Sequence, residues 1–394
     1  MWLILQYKKP DDFIIATGKQ YSIKQFINFT ANQLNMNIKW NLLFLFCLTS
    51  THLLADGNHK MFNLGDLQLE SGATLTNAQL SYVTHGKLNE EKDNLIVVPS
   101  AYLGDHHGFD FLIKKGMALD PEKFFIVATD MFQNGLSSSP SNTPAPFNGP
   151  NFPLISIRDN VKAGYRLVTE KFGVEEIHAV VGFSMGAQQA FQWGVSYPEF
   201  VHSIVGIAGS AVEYPHGKIR LEGFISAIKA DSAFMEGNYK QPPEVGLRAG
   251  GAHWASWGWS QEWFRQELYR EMGLNSAEEV IDWFEERVLT WDANDLIALA
   301  RTWQNNNIGN SPGFNGNATA ALNSIKARVL YMPSETDMYF HIDALKAEAE
   351  KIPRVELRII PTLWGHIAGA GFDSNDLNFM NDEIIKFFHN DPAD

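Results

Sequence analysis

The run Val180-Val181-Gly182-Phe183-Ser184-Met185-Gly186-Ala187 limits what this chain can fold into more than any other stretch. It sets a G-x-S-x-G pattern behind an apolar, β-branched run. The spacing predicts a buried strand over 177–181, a sharp turn at Ser184 and a helix over 188–195. Strand, turn and helix in that order make the pattern a nucleophile elbow. The two glycines are needed because the turn is strained and the strand and helix backbones approach too closely for Cβ atoms. Ser184 then stands at the carboxyl edge of a sheet, with the Met185 amide N–H aimed at a developing oxyanion. A chance Gly-Ser-Gly turn is the plainer alternative, and it leaves the flanking strand and helix unexplained.

Other apolar runs are short and nearly continuous, at 95–98, 124–128, 204–207, 329–332 and 357–360. Such runs suit a parallel sheet covered on both faces. Helical stretches such as 158–172 and 382–389 lie between them, so the expected class is α/β, a mostly parallel sheet with helices on both faces. Residues 215–313 interrupt the alternation with amphipathic sequence, for example 276–287 and 293–305. We expect an inserted helical cap there, with a core made of 57–214 and 314–394.

The 394-residue chain carries a formal net charge of −14. An acidic surface argues against nucleic acid or anionic membranes as partners. Its single cysteine, Cys47, excludes an intramolecular disulfide and a cysteine-based metal cluster. Cys47 also lies in an apolar run, a poor place for a nucleophile. Trp254, Trp257, Trp259 and Trp263 cluster in sequence and suggest an aromatic-lined surface or pocket.

A serine hydroxyl is a weak nucleophile and needs a base that a third group orients. In an elbow-type site the chain order is nucleophile, acid, histidine. The strand at 329–332 runs into Pro333-Ser334-Glu335-Thr336-Asp337, which makes Asp337 the candidate acid and Glu335 its competitor. Capping of a helix near His341 is the structural alternative for Asp337. After the last strand comes Leu363-Trp364-Gly365-His366, and His366 is the candidate base. The second oxyanion donor belongs in the loop after the strand at 95–98, where the Tyr102 N–H is the choice and Leu103 the reserve. His106 and His107 beside it read as solvated loop histidines, because no further metal ligands stand at suitable spacing.

The first part of the chain has a different character. Residues 11–26, Asp-Asp-Phe-Ile-Ile-Ala-Thr-Gly-Lys-Gln-Tyr-Ser-Ile-Lys-Gln-Phe, resemble a segment from the C-terminal half of GDP-mannose 4,6-dehydratases. The glycine-rich dinucleotide fingerprint is missing, so no dehydratase activity is implied. Residues 1–56 read as an N-terminal extension from a truncated gene fused upstream. Read from Met36, the sequence has a positive start, a short apolar run at 42–48 and a small residue near 55, as in a signal peptide. Export to the periplasm is expected if translation starts near Met36, and a cytoplasmic location otherwise. The run is too short to span a bilayer, which takes about 20 apolar residues.

Residues 94–104, 116–120 (Gly-Met-Ala-Leu-Asp), 155–159 (Ile-Ser-Ile-Arg-Asp), the elbow with Gln188 and Tyr197-Pro198, and 291–296 (Trp-Asp-Ala-Asn-Asp-Leu) resemble homoserine O-acetyltransferases and their hydrolase relatives. The likeness runs from about residue 64 to 388. It implies an α/β-hydrolase fold and a Ser-Asp-His triad working through an acyl-serine. Matched by motif, the triad is Ser184, Asp337 and His366, with oxyanion donors at Tyr102 and Met185. It also implies a homodimer through the cap helices, a small-molecule ester or acyl donor as partner, and no cofactor or metal. Two departures stand out. The transferases carry a cap-helix arginine that receives the homoserine carboxylate, and Ile225 stands in its place. They carry an aspartate after the catalytic histidine, and Ile367 stands there. An apolar residue cannot replace a charge-assisted partner worth about 1.5–3 kcal/mol per hydrogen bond. The expected substrate pocket therefore includes Leu103, Ile225, Trp254, Trp257 and Ile367, and suits an acceptor other than a zwitterionic amino acid. The leading functional reading is a serine hydrolase cleaving a carboxylic ester, the alternative an acyl-CoA-dependent O-acyltransferase. A non-catalytic binding module is the third, and the complete triad order argues against it.

Overall fold

The structure, a computed structural model, describes residues 59–390. The expected N-terminal extension, the signal-like run and Cys47 lie outside the described residues.

Eight strands form one sheet in the order β1-β2-β4-β3-β5-β6-β7-β8. The strands are β1 (Lys60–Gln68), β2 (Thr74–His85), β3 (Leu95–Pro99), β4 (Phe125–Thr129), β5 (Ile177–Phe183), β6 (Val201–Ile207), β7 (Arg328–Met332) and β8 (Val355–Leu357). From β4 to β8 every neighbour is parallel, and β1 and β2 add an antiparallel hairpin at one edge. Every residue of β3, β4 and β7 is buried. Strands flanked by helices on both sheet faces need apolar side chains on both sides, which is why these segments read as unbroken apolar runs. The hairpin was not legible in that way. Its β1 strand slips register around Gly65 and buries Leu64 and Leu67, three positions apart, which hides the two-residue period.

Ten α-helices complete the described chain: α1 (Ile157–Arg166), α2 (Met185–Ser196), α3 (Pro215–Lys229), α4 (Glu244–Ala255), α5 (Gln261–Arg265), α6 (Ala277–Leu289), α7 (Ala293–Gln304), α8 (Ala318–Asn323), α9 (Ile342–Ala349) and α10 (Ser374–His389). Local chemistry fixes their starts. Ser156 makes a capping box with Asp159 on α1, Ser276 caps α6, and the Asp292 carboxylate accepts from two amides of α7. The stretch between β6 and β7 is helical, running from α3 to α8. None of the helices is long and apolar enough to cross a membrane.

The parallel strands all point the same way, so the loops leaving β3, β5, β7 and β8 emerge at one edge of the sheet. In sheets of this kind that edge is where ligands bind.

Candidate active site

Ser184 lies between β5 and α2 with φ 56° and ψ −121°. This is a left-handed conformation that a non-glycine residue enters at a cost of about 1–3 kcal/mol, and surrounding structure must enforce it. Two glycines make the enforcement feasible. A Cβ on Gly182 would sit 2.1 Å from the Gly186 carbonyl oxygen, and one on Gly186 would sit 2.7 Å from the Pro99 carbonyl oxygen. The turn thus closes tightly on itself and against the end of β3. Ser184 is 3% exposed.

The three triad candidates come together. The Ser184 hydroxyl lies 2.9 Å from His366 Nε2, and His366 Nδ1 lies 2.9 Å from Asp337 Oδ2. The other carboxylate oxygen, Oδ1, accepts from the amides of Tyr339 (2.7 Å) and Phe340 (3.1 Å). Asp337 therefore caps its own loop. The helix that follows is capped by His341 instead. Glu335, the competing carboxylate, is exposed, whereas Asp337 is buried against the imidazole. The acid and histidine loops are tied by Ser334 Oγ to the Gly365 carbonyl (2.6 Å) and Thr336 Oγ1 to the Thr362 carbonyl (2.9 Å). The Tyr339 ring stacks on the imidazole, with centroids 4.1 Å apart and planes 27° apart.

The loop after β3 supplies Tyr102 and Leu103. The Gln189 side chain of α2 donates to the Ser100 carbonyl at 3.0 Å, so the elbow helix holds this loop. Leu103 has φ 55°, a second positive value beside the nucleophile. Met185 is the first residue of α2, where an amide has no intrahelical acceptor and is free to face an anion.

A cavity of about 90 Å³ opens over Ser184 and His366. Leu103, Trp254 and Ile367, all expected at the pocket, line it, together with Tyr102, Trp303 and Tyr339. Two expected residues do not. Ile225 is fully buried within α3, because the face turned to the site aromatics carries Arg220 and Phe224, one turn apart. Trp257 lies past the end of α4, half-exposed beside His216 and His253. Trp259 and Trp263 stack on each other 4.5 Å apart inside the protein rather than in the cavity. The reading of His106 as a solvated histidine also needs correction. It is 4% exposed and its Nδ1 lies 2.8 Å from Asp130 Oδ2, which pins the loop after β3 to the end of β4. His107 is exposed and pairs with Asp110. Among the described residues, no group of three or more His, Cys, Asp or Glu side chains could hold a metal ion.

Two arginines were missed. Arg220 is 3% exposed, and its guanidinium sits over the rings of Tyr339 (4.1 Å), Trp303 (4.8 Å) and Trp254 (4.9 Å). Among the described residues, the carboxylate within 4.0 Å of it is that of Glu213. Burial pushes the Glu213 carboxyl up to about 8, against the opposing pull of Arg220. Arg287 lies in the cavity wall. A signal was present for both. Each falls on the apolar stripe of its helix, with 217, 221, 224 and 228 around Arg220, and 280, 283 and 284 leading to Arg287.

Comparison with known proteins places this geometry. A family profile described as alpha/beta hydrolase fold matches residues 94–369. The chain belongs to the α/β-hydrolase family. This α/β-hydrolase is 37% identical to an ethyl acetate hydrolase of Pseudomonas veronii, over 84% of this chain and 95% of that one. It superimposes on the crystal structure of an acetylester hydrolase from Corynebacterium glutamicum with a TM-score of 0.83 and 35% identity, covering 86% and 99% of the two chains. It is 28% identical to a homoserine O-acetyltransferase of Symbiobacterium thermophilum, over 77% and 87%. A separate profile, GDP-mannose 4,6 dehydratase, matches residues 1–47, ahead of the hydrolase region.

Proposed function

We propose that this α/β-hydrolase cleaves small carboxylic esters through an acyl-serine. The observation that carries the proposal is the unbroken hydrogen-bonded chain from Ser184 through His366 to Asp337. Ser184 Oγ attacks the ester carbonyl while His366 Nε2 takes its proton. Asp337 holds the imidazole in the tautomer with hydrogen on Nδ1 and stabilises the imidazolium. The tetrahedral oxyanion is received by the Tyr102 and Met185 amides, fixed dipoles that need no reorganisation as charge develops. His366 then protonates the departing alcohol. Water, activated by the same imidazole, releases the acid and restores Ser184.

The cavity of about 90 Å³ is small beside the roughly 300–1,000 Å³ of sites for drug-sized ligands, which favours short acyl and alcohol groups. The names of the ethyl acetate and acetylester hydrolases, each a third or more identical, point the same way. Ile367, next to the catalytic histidine, offers no carboxylate to an acceptor's amino group, which favours water over homoserine. Transfer to an alcohol is the second reading, supported by the transferase relative. Mass spectrometry of the intact protein mixed with p-nitrophenyl acetate separates the two. Hydrolysis predicts an acetyl adduct on Ser184 that decays in water alone. An adduct that persists until an alcohol is added sinks the hydrolytic reading, and no adduct at all sinks both.

A further inference from the structure

The cavity over Ser184 is lined by aromatic and aliphatic groups except for Ser184, His366 and one cation, Arg287. A guanidinium is expensive to bring out of water unless something pairs with it. Arg287 is half-buried in the cavity wall and has little of that kind. It donates to the Leu103 carbonyl and lies 5.8 Å from the Trp283 ring centroid. Among the described residues it makes no ion pair within 4.0 Å. Burial pulls its pKa below the ordinary arginine value, with Asp105 opposing from farther away. The planar fork has five N–H donors, and Leu103 engages one nitrogen of it.

The surroundings add positive potential. The Tyr339 ring, which backs the catalytic imidazole, feels both Arg220 and Arg287. Against these two cations stand Asp337, engaged by His366 and two amides, Glu213, whose carboxyl burial keeps protonated up to about 8, and Asp105. A neutral ester makes no use of a guanidinium in the wall. A carboxylate accepts two parallel N–H bonds from one.

We infer that Arg287 receives a carboxylate carried by the substrate, so that the preferred substrates are small esters bearing one free carboxylate. The carboxylate can sit on the acyl side, as in a monoester of a short dicarboxylic acid, or on the alcohol side, as in an acylated short hydroxy acid. Hydrolysis adds water across the ester C–O bond in either case, and the recognised carboxylate is unchanged. The inference rests on the ester-hydrolase reading, and turnover of neutral esters tests that reading separately.

The experiment compares kcat/KM for four esters, measured with the full chain by proton release. Monomethyl succinate is set against methyl butyrate for the acyl side, and acetoxyacetate against propyl acetate for the alcohol side. The expected result is a preference of about tenfold or more for the anionic member of one pair, and which pair shows it identifies the side. In Arg287→Met the anionic-to-neutral ratio for that pair falls by about tenfold, mainly through KM, and Arg287→Lys recovers part of it. The wild-type ratios decide the matter even if a variant fails to fold. No anionic preference in either pair overturns the inference. So does an Arg287→Met ratio equal to that of the wild type, which would make Arg287 a support for the Leu103 carbonyl alone. Turnover of none of the four, with no acetyl adduct on Ser184, overturns the parent reading as well.

Discussion

His366 Nε2 lies 2.9 Å from the Ser184 hydroxyl oxygen, although 182 positions separate the two residues in the chain. Parallel β5 and β8 make this meeting possible, because their carboxyl ends open on the same edge of the sheet. The elbow then aims Ser184 at the loop that carries the histidine, with the Tyr339 ring stacked behind the imidazole.

Ser184→Ala removes the proposed nucleophile and leaves the fold intact, since alanine keeps both backbone bonds and, among the described residues, the Ser184 hydroxyl bonds His366 alone. Ester turnover is expected to fall by at least about 10⁴-fold. Thermal unfolding should be little changed. The check is steady-state hydrolysis of p-nitrophenyl acetate beside a melting curve, and turnover within tenfold of the wild type rules out Ser184 as the nucleophile.

Asp337→Asn is expected to lower kcat by about 10⁴-fold while KM moves little, because an amide no longer fixes the imidazole tautomer. Glu335→Gln is the matched control. That side chain is exposed, and its loss should leave kcat within about twofold. Equal effects of the two substitutions would remove Asp337 from the role of acid.

The elbow and the order of its partners were legible because each is a local signal: glycines where Cβ atoms collide, and a polar loop after an apolar strand. The cap was harder to read. Helix periodicity shows which face of α3 is buried but not what that face meets, so the family position Ile225 looked like pocket while Arg220 and Phe224 take that direction. The tryptophans between 254 and 263 misled in a related way. An indole fills a core as well as a pocket, and only tertiary contacts separate Trp254 in the cavity from Trp259 in the interior. His106 looked solvated because its partner, Asp130, lies 24 positions away, just past the end of β4.

Gly186→Ala tests how tightly the elbow is packed. The added methyl would lie 2.7 Å from the Pro99 carbonyl oxygen, a backbone atom that cannot swing aside. Overpacking of this kind costs about 1–3 kcal/mol. The strand end that must move carries the Tyr102 loop, so the proposed oxyanion donor moves with it. The expected outcome is a lower melting temperature together with a loss of about 10²-fold or more in kcat. Full activity at unchanged stability would show that the β3 end yields freely.

Glu348 links stability to pH away from the chemistry. It is 4% exposed, and its carboxyl accepts from the Ala211 amide and the Tyr331 and Tyr214 hydroxyls, each at 2.9 Å. Burial nevertheless pushes the group up to about 7, above the value of about 4.3 in an unfolded chain. Between those values the unfolded chain has released its proton and the folded chain has kept it. Folding stability then falls as pH rises through that window, and the full penalty is present above about pH 7. Glu348→Gln resembles the protonated carboxyl in shape and bonding, so it should match the wild type near pH 4.5 and exceed it above pH 7. The difference should be on the order of 3 kcal/mol, since a tenfold change in proton affinity corresponds to about 1.4 kcal/mol and the accepted bonds are already reflected in the folded value. Other buried acids, among them Asp295 and Asp376, slope the wild-type and variant curves alike, so the gap between the curves isolates Glu348. Urea midpoints measured at pH 4.5, 6, 7 and 8 provide the check. Curves that stay parallel across that range would mean that Glu348 is ionised in the folded protein throughout.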